Sequence, residues 1–283
     1  MIHTGDEVID AYRKVSLWGV PKQSGKSTFA ASVPGEIHIN HYDWGTPTIP
    51  PGKDPKQITY KTYPVADPVL DVKSDKWKRA INIGEEILRD LMEWRAAFME
   101  NRPAKIDGQE VRLPQTFVLD GWVSLGQSIL DWMLGLNNLK DPSESENAMV
   151  DVYGRRLTNY NTIFNTVIPL PCNVIIVTWE TPVTRREKDY KGRPIQVETG
   201  KVTADYGGKL DMYGNGKVDA SLYCYSEKTS AGTRFKVRTK STELLLGIGV
   251  RGIYDLPDVV DVTIDPKKPH PLPWERIFGK RNP

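Results

Sequence analysis

Cysteine is nearly missing from this chain. Only Cys172 and Cys224 occur in 283 residues, and they form no C-x-x-C pair. That excludes a disulfide framework and argues against a zinc site, and it fits a reducing, cytoplasmic setting. Histidine is scarce too, with four in all. None has metal-ligand spacing, so His38 and His41 read as structural. No apolar run approaches the ~18 residues of a membrane span, so no membrane partner is expected. The first stretch, "MIHTGDEVIDAYRK", has no apolar core of the signal-peptide kind. A large excess of one charge is also absent: the formal net charge is +2. Any nucleic-acid contact must therefore be local rather than spread over the whole surface. No repeat of about 20–50 residues is visible.

What is present is an ordinary globular composition, 39% hydrophobic and 26% charged. The chain alternates strand and helix signals. Residues 14–20 read as a short buried strand, followed by a glycine-lysine loop and a helix "KSTFAASV" stopped by Pro34-Gly35. Residues 36–42 read as a strand, 43–57 as a Pro- and Gly-rich loop, and "ITYKTYPV" as another strand. Residues 75–101 form the clearest helix, with Gly84, Ile87, Leu91, Trp94 and Phe98 on one stripe. "IDGQEVRLP" predicts a small turn or hairpin. Residues 115–125 read as a buried strand ending in an acid, and "GQSILDWMLGL" continues as a helix. A polar segment leads to a helix over 155–170 and an apolar strand over 172–180. Residues 181–208 read as a long polar loop. "KVDASLYCYSE" and "TRFKVRTKS" predict an antiparallel hairpin around "KTSAG". This rhythm predicts an α/β fold with a mainly parallel sheet flanked by helices and a C-terminal antiparallel hairpin at the edge. One core over 1–254 is expected, followed by a Pro-rich basic tail over 255–283 with few core residues.

The chemistry concentrates in "WGVPKQSGKST". The usual phosphate-loop spacing, G-x-x-x-x-G-K-[ST], would put its first glycine at residue 20, but that residue is Val20 and the glycine is Gly19. The extra residue must bulge, most simply at Pro21-Lys22-Gln23. Ser24, Gly25, Lys26, Ser27 and Thr28 keep the required spacing. Gly25 admits close approach of an anion, and the first helical N–H groups face it. Lys26 reaches phosphate, and Ser27 offers a hydroxyl to Mg²⁺. The expected ligands are therefore ATP and Mg²⁺.

"FVLD" closes an apolar strand on Asp120, expected to serve the metal from the strand adjacent to the phosphate loop. A turn-capping Asp is the other reading. Asp43 ends the second strand and Glu180 the fourth, each an acid for holding a water or an ordinary loop acid. Thr178 is a candidate to read the γ-phosphate from the strand between. Arg234, Lys236, Arg238 and Lys240 alternate on one strand and so share a face. That face is either a charged guard on an edge strand or a contact between subunits.

These stretches, together with "INHYDWGT", "FVLDGWVSL", "YGRRL", "NVIIVTWE" and "YGGKLDMYGNGKVDASLY", resemble the phage nucleotide-binding proteins of the RecA/RadA-like P-loop ATPases, including core-only single-strand-annealing recombinases. The resemblance spans residues 14–241. It implies a RecA-like P-loop core and an ATPase that assembles head-to-tail as a ring or filament on single-stranded DNA. It also implies a role in phage recombination by annealing or strand exchange, with a single-strand-binding protein as a possible companion. The family's water-activating glutamate corresponds to Asp43, one methylene shorter. Family loops placed like 181–208 bind single strands, which gives Arg185, Arg186, Lys188, Tyr190, Lys191 and Arg193 that role; Lys201 adds charge. Family basic fingers make Lys209, Lys236 and Arg238 candidates to reach a neighbour's phosphates. A helicase-loading or DNA-packaging ATPase, or a nucleotide-stabilised scaffold with little turnover, are the rival readings.

Overall fold

A computed structural model describes residues 12–43, 49–63, 75–137, 146–207, 210–230, 232–253, 255–265 and 271–279. The strands in chain order are β1 (Lys14–Trp18), β2 (Ile37–His41), β3 (Ile58–Thr62), β4 (Ala104–Ile106), β5 (Gln109–Val111), β6 (Thr116–Asp120), β7 (Asn173–Val177), β8 (Glu180–Lys188), β9 (Pro194–Ala204), β10 (Ala220–Thr229), β11 (Gly232–Arg238), β12 (Gly249–Val250) and β13 (Val259–Asp261). The helices are α1 (Lys26–Ala30), α2 (Asp75–Glu100), α3 (Trp122–Leu136), α4 (Glu146–Val167), α5 (Leu210–Lys217) and α6 (Pro273–Phe278).

Nine strands form the main sheet, in the order β13-β11-β10-β1-β7-β6-β2-β3, with β12 beside β10. From β10 to β3 every neighbouring pair is parallel. β11, β12 and β13 add antiparallel pairs at one end. The fold is thus α/β, with a mainly parallel sheet flanked by helices and an antiparallel hairpin, as the sequence rhythm predicts. Every residue of β2 and β6 is buried. Both faces of a parallel sheet are covered, so such strands read as continuous apolar runs.

Side chains alternate between two apolar layers. On β6, Phe117 and Leu119 join Trp18, Ile87, Leu91, Trp94, Trp122 and Phe164 under α2, α3 and α4. Val118, between them, joins Leu17, Phe29, Ile39, Val237 and Trp274 on the other face. The predicted stripe of α2 is buried along its length. A Cβ on Gly84 would lie 2.4 Å from the Trp132 ring, so a glycine is what lets α2 approach α3. At the β3 edge, Lys61 Nζ sits 2.6 Å from a carboxylate oxygen of each of Glu86, Asp90 and Asp107.

Several boundaries differ from expectation. β6 ends at Asp120, and α3 starts at Trp122 because Gly121 takes φ 93 and turns the chain between them. The helix expected from 155 begins at Glu146. β7 ends at Val177, so Glu180 opens β8 rather than closing the fourth strand. Residues 181–208, expected as a loop, instead carry most of a two-stranded ribbon of β8 and β9. The two antiparallel strands satisfy each other's backbone groups, and a register shift between Pro182 and Thr184 accommodates the proline. β11 is not an edge, because β13 pairs with it. The segment expected to hold few core residues supplies Val262, Trp274, Ile277 and Phe278 to the second apolar layer. Trp274 lies 6.4 Å from the Phe29 ring, and its N–H donates to Ser32 Oγ, so α6 braces the helix that follows the glycine-lysine loop. Trp274→Ala is expected to cost about 3–4 kcal/mol by chemical denaturation; a loss under about 1 kcal/mol would show that α6 is not part of this core.

Candidate functional site

The glycine-lysine loop leaves the C-terminal end of β1 at Gly19. A Cβ there would lie 2.2 Å from the Cys224 carbonyl oxygen, and φ is 147, so β1 and β10 approach too closely for any side chain. The extra residue is absorbed in an exposed run of bends ending at Gln23, which takes the left-handed φ of 57. Gly25 follows at φ 78, with the Phe235 ring 2.9 Å from where its Cβ would stand. Phe29 N–H then donates to the Gly25 carbonyl, and α1 begins. Gly19→Ala is expected to displace the loop and lower nucleotide affinity at least about tenfold in a calorimetric titration. An unchanged affinity would mean that the β1–β10 approach does not shape the loop.

Lys26 does not extend into solvent. Its Nζ donates to the Val20 carbonyl at 2.5 Å and to Ser24 Oγ at 2.8 Å, and Ser24 Oγ donates on to the Val20 carbonyl at 3.3 Å. The residue is only 5% exposed. Burial pushes its ammonium below the ordinary value, while Cys224, Asp120, Asp43 and Glu180 push it back up. Residues widely separated in sequence thus converge on one cation. Asp43, Asp120 and Glu180, the three acids picked by strand-end reasoning, all act electrostatically on Lys26.

Each acid is fixed differently. Asp120 is 3% exposed, and its Oδ2 lies 3.4 Å from His41 Nδ1. Asp43 packs over Gly121, where a Cβ would meet its carboxyl at 2.8 Å, and Oδ1 accepts a hydrogen bond from Ser124 Oγ. Glu180 donates its N–H to the Gly19 carbonyl at 3.1 Å and accepts the Tyr223 hydroxyl at 3.0 Å. Burial and Glu180 together push the Tyr223 phenol up to about 12. Thr178 is fully buried, and its hydroxyl donates to the Asp205 carbonyl at 2.5 Å, tying β7 to the end of β9.

Sheet order corrects one expectation: β6 does not adjoin β1, because β7 lies between them. Asp120 therefore works across an intervening strand. A lysine and three carboxylates at the C-terminal ends of parallel strands are the groups needed to neutralise phosphate, hold a hard cation and accept a proton from water.

The remaining expected residues lie elsewhere. Arg185, Arg186 and Lys188 are on β8, and Tyr190, Lys191 and Arg193 on its turn into β9. Tyr190 is 89% exposed, with Lys191 Nζ 5.3 Å from its ring centre. Acids of the ribbon pair with some of these cations: Glu187 with Arg185 at 2.6 Å and Asp189 with Arg193 at 2.8 Å. On β11, Arg234 pairs with Asp261, Lys236 with Glu227, and beyond the strand Lys240 with Asp258. The stripe is thus partly neutralised within the chain, and Arg238 is half-buried. Lys209 lies outside the described residues.

Sequence reasoning missed Ser124, Tyr223 and Phe235 as partners of these groups. These partners come from distant segments, and no local pattern marks them. His38 does behave structurally. Its Nδ1 meets Thr59 Oγ1 at 2.8 Å, its Nε2 meets Asn40 Oδ1 at 3.1 Å, and burial pushes it down to about 4.

No model of a known protein family matches the chain, and no curated protein matches it. Among solved structures it is similar to a KaiC-like protein from the hyperthermophilic archaeon Pyrococcus horikoshii OT3. The two share 12% identity over 89% of this chain and 87% of that one, with a TM-score of 0.36. Among the described residues no helix is long and apolar enough to cross a membrane.

Proposed function

We propose that the chain is a RecA-like P-loop ATPase, binding ATP with Mg²⁺ at the loop between β1 and α1. One observation carries the reading: buried Lys26 lies in the loop at the C-terminal edge of a parallel sheet, within electrostatic reach of Asp43, Asp120 and Glu180. The site fits its ligands. Gly19 and Gly25 give the loop its turns at φ 147 and 78, where the Cys224 carbonyl and the Phe235 ring leave no room for a Cβ. Ser27 and Asp120 offer the hard oxygen donors that magnesium takes, and bound magnesium would neutralise charge on the phosphates. Lys26 exchanges its carbonyl partners for phosphate oxygens, Gly25 to Thr28 offer N–H groups, and Asp43 or Glu180 holds the proton of the attacking water.

The wider proposal is an oligomeric ATPase, phage-type in its recombination chemistry, acting on single-stranded DNA through the β8–β9 ribbon. An exposed tyrosine among lysines and arginines supports it, since stacking plus phosphate contact is how single strands are bound without sequence preference. In that proposal Lys236 and Arg238 serve a neighbouring subunit's phosphates, and Lys236 first leaves Glu227. Slow turnover is a second reading, favoured by the short Asp43 carboxyl already engaged by Ser124.

An ATPase assay with and without single-stranded DNA, on wild type and Lys26→Ala, tests both levels. Hydrolysis stimulated by DNA and lost in Lys26→Ala is expected. ATP binding without DNA binding or stimulation removes the recombination role and keeps the nucleotide site. Absence of ATP binding removes both.

A further inference from the structure

His41 has no part in the reading above, yet it stands inside the acid cluster. β2 and β6 pair in parallel with His41 directly opposite Asp120. Neighbouring strands lie about 4.8 Å apart, so side chains in register on one face are within reach of each other. Here Nδ1 is 3.4 Å from Asp120 Oδ2, with His41 6% and Asp120 3% exposed. Bulk water does not compete for a contact buried on both sides.

The main chain around Asp120 is fixed independently. Its carbonyl accepts the Tyr42 N–H at 2.8 Å, and Gly121 N–H donates to the Val177 carbonyl at 3.3 Å. What remains free is rotation of the carboxylate about its own side-chain bonds. The 3.4 Å approach falls short of a hydrogen bond as the two side chains stand. A small turn of either puts the imidazole N–H on Oδ2, which would remove that freedom and leave Oδ1 for other work. The other histidine of the strand, His38, is engaged at both nitrogens with Thr59 and Asn40 and has no carboxylate beside it.

We propose that His41 is a positioning residue for Asp120, holding its carboxylate in the rotamer that serves the magnesium site. The inference rests on the nucleotide reading above and concerns only this chain's own residues. Partners of this kind, one step behind a metal-serving carboxylate, set its orientation and basicity.

The test is equilibrium binding of a fluorescent ATP analogue, in EDTA and across a Mg²⁺ titration, on wild type, His41→Ala and His41→Asn. In His41→Ala the half-saturating Mg²⁺ concentration is expected to rise about tenfold while affinity in EDTA holds. His41→Asn is expected to restore most of the magnesium response, because its amide nitrogen donates from close to the imidazole Nδ1 position. An unchanged magnesium requirement in His41→Ala overturns the proposal. So does an equal loss of affinity with and without metal, which would mark His41 as structural support. Rescue no better in His41→Asn than in His41→Ala overturns it as well. A wild type that binds the analogue under no condition overturns the nucleotide reading itself, a distinct outcome.

Discussion

Lys26→Met is expected to abolish ATP binding in an equilibrium titration and to take hydrolysis to background, with little change in thermal melting. Methionine keeps the length and apolar stem of lysine and removes only the charge and its donors. The phosphates then face Asp43, Asp120 and Glu180 with no cation in the loop to offset them. Removing one preorganised donor from such a site costs on the order of 10²–10³-fold, and here the donor is also the loop's charge. Stability should hold because burial already disfavours the Lys26 ammonium, so the fold gains little from it. Tight ATP binding by Lys26→Met would mean that the loop is not where the phosphates sit. Lost binding accompanied by unfolding would mean that Lys26 is structural.

The second large effect lies at the other end of the sheet. Lys61→Met is expected to destabilise the protein by about 3 kcal/mol, because it leaves the buried Asp90 carboxylate with only the solvent-exposed Arg89, at 3.3 Å, as counter-charge. The Lys61 side chain is 10% exposed and that of Asp90 only 2%. Asp90 also accepts the Tyr63 hydroxyl at 2.9 Å. Burial alone would lower the Lys61 ammonium, but hydrogen bonds to Asp107, Asp90 and Glu86 outweigh it and hold it above the ordinary 10.5. A lysine raised in the folded state contributes fully below its unfolded value and loses that contribution as pH climbs through the folded one. The effect of Lys61→Met is therefore constant across neutral pH, and on the lysine's side it shrinks in strong alkali. Urea denaturation measures it as a lower midpoint at unchanged slope. Adding Asp90→Asn should recover part of the loss, since the uncompensated charge is its cause. A loss below about 1 kcal/mol would reduce the cluster to the weight of a surface ion pair.

The strands β1, β2, β6 and β7 and the helix α2 were legible because burial on one or both faces writes a local period. The stripe from Gly84 to Phe98 and the acid closing "FVLD" needed no knowledge of the rest of the chain. Strand order was not legible in the same way. Placing β7 between β1 and β6 is a pairing choice made across the whole sheet, and it changed the route from Asp120 to the loop. The β8–β9 ribbon was hidden because its exposed faces carry charge where a core strand carries valine. Proline obscured α6, although Trp274, Ile277 and Phe278 already held the spacing of a short apolar face. Within the site, Lys26 and the acids were readable from motif and strand ends. The groups that contact the acids — His41, Ser124 and Tyr223 — were not, because each meets a residue remote in sequence.

The central claim is that the segment Ser24–Thr28 is where the nucleotide binds. Amide hydrogen exchange resolved along the chain, with and without ATP and Mg²⁺, tests it most directly. Slowed exchange is expected at Ser24, Gly25, Lys26, Ser27 and Thr28, with a smaller effect at the ends of β2 and β6. Binding of ATP that leaves these five amides unprotected, or protects only a surface elsewhere, would contradict it.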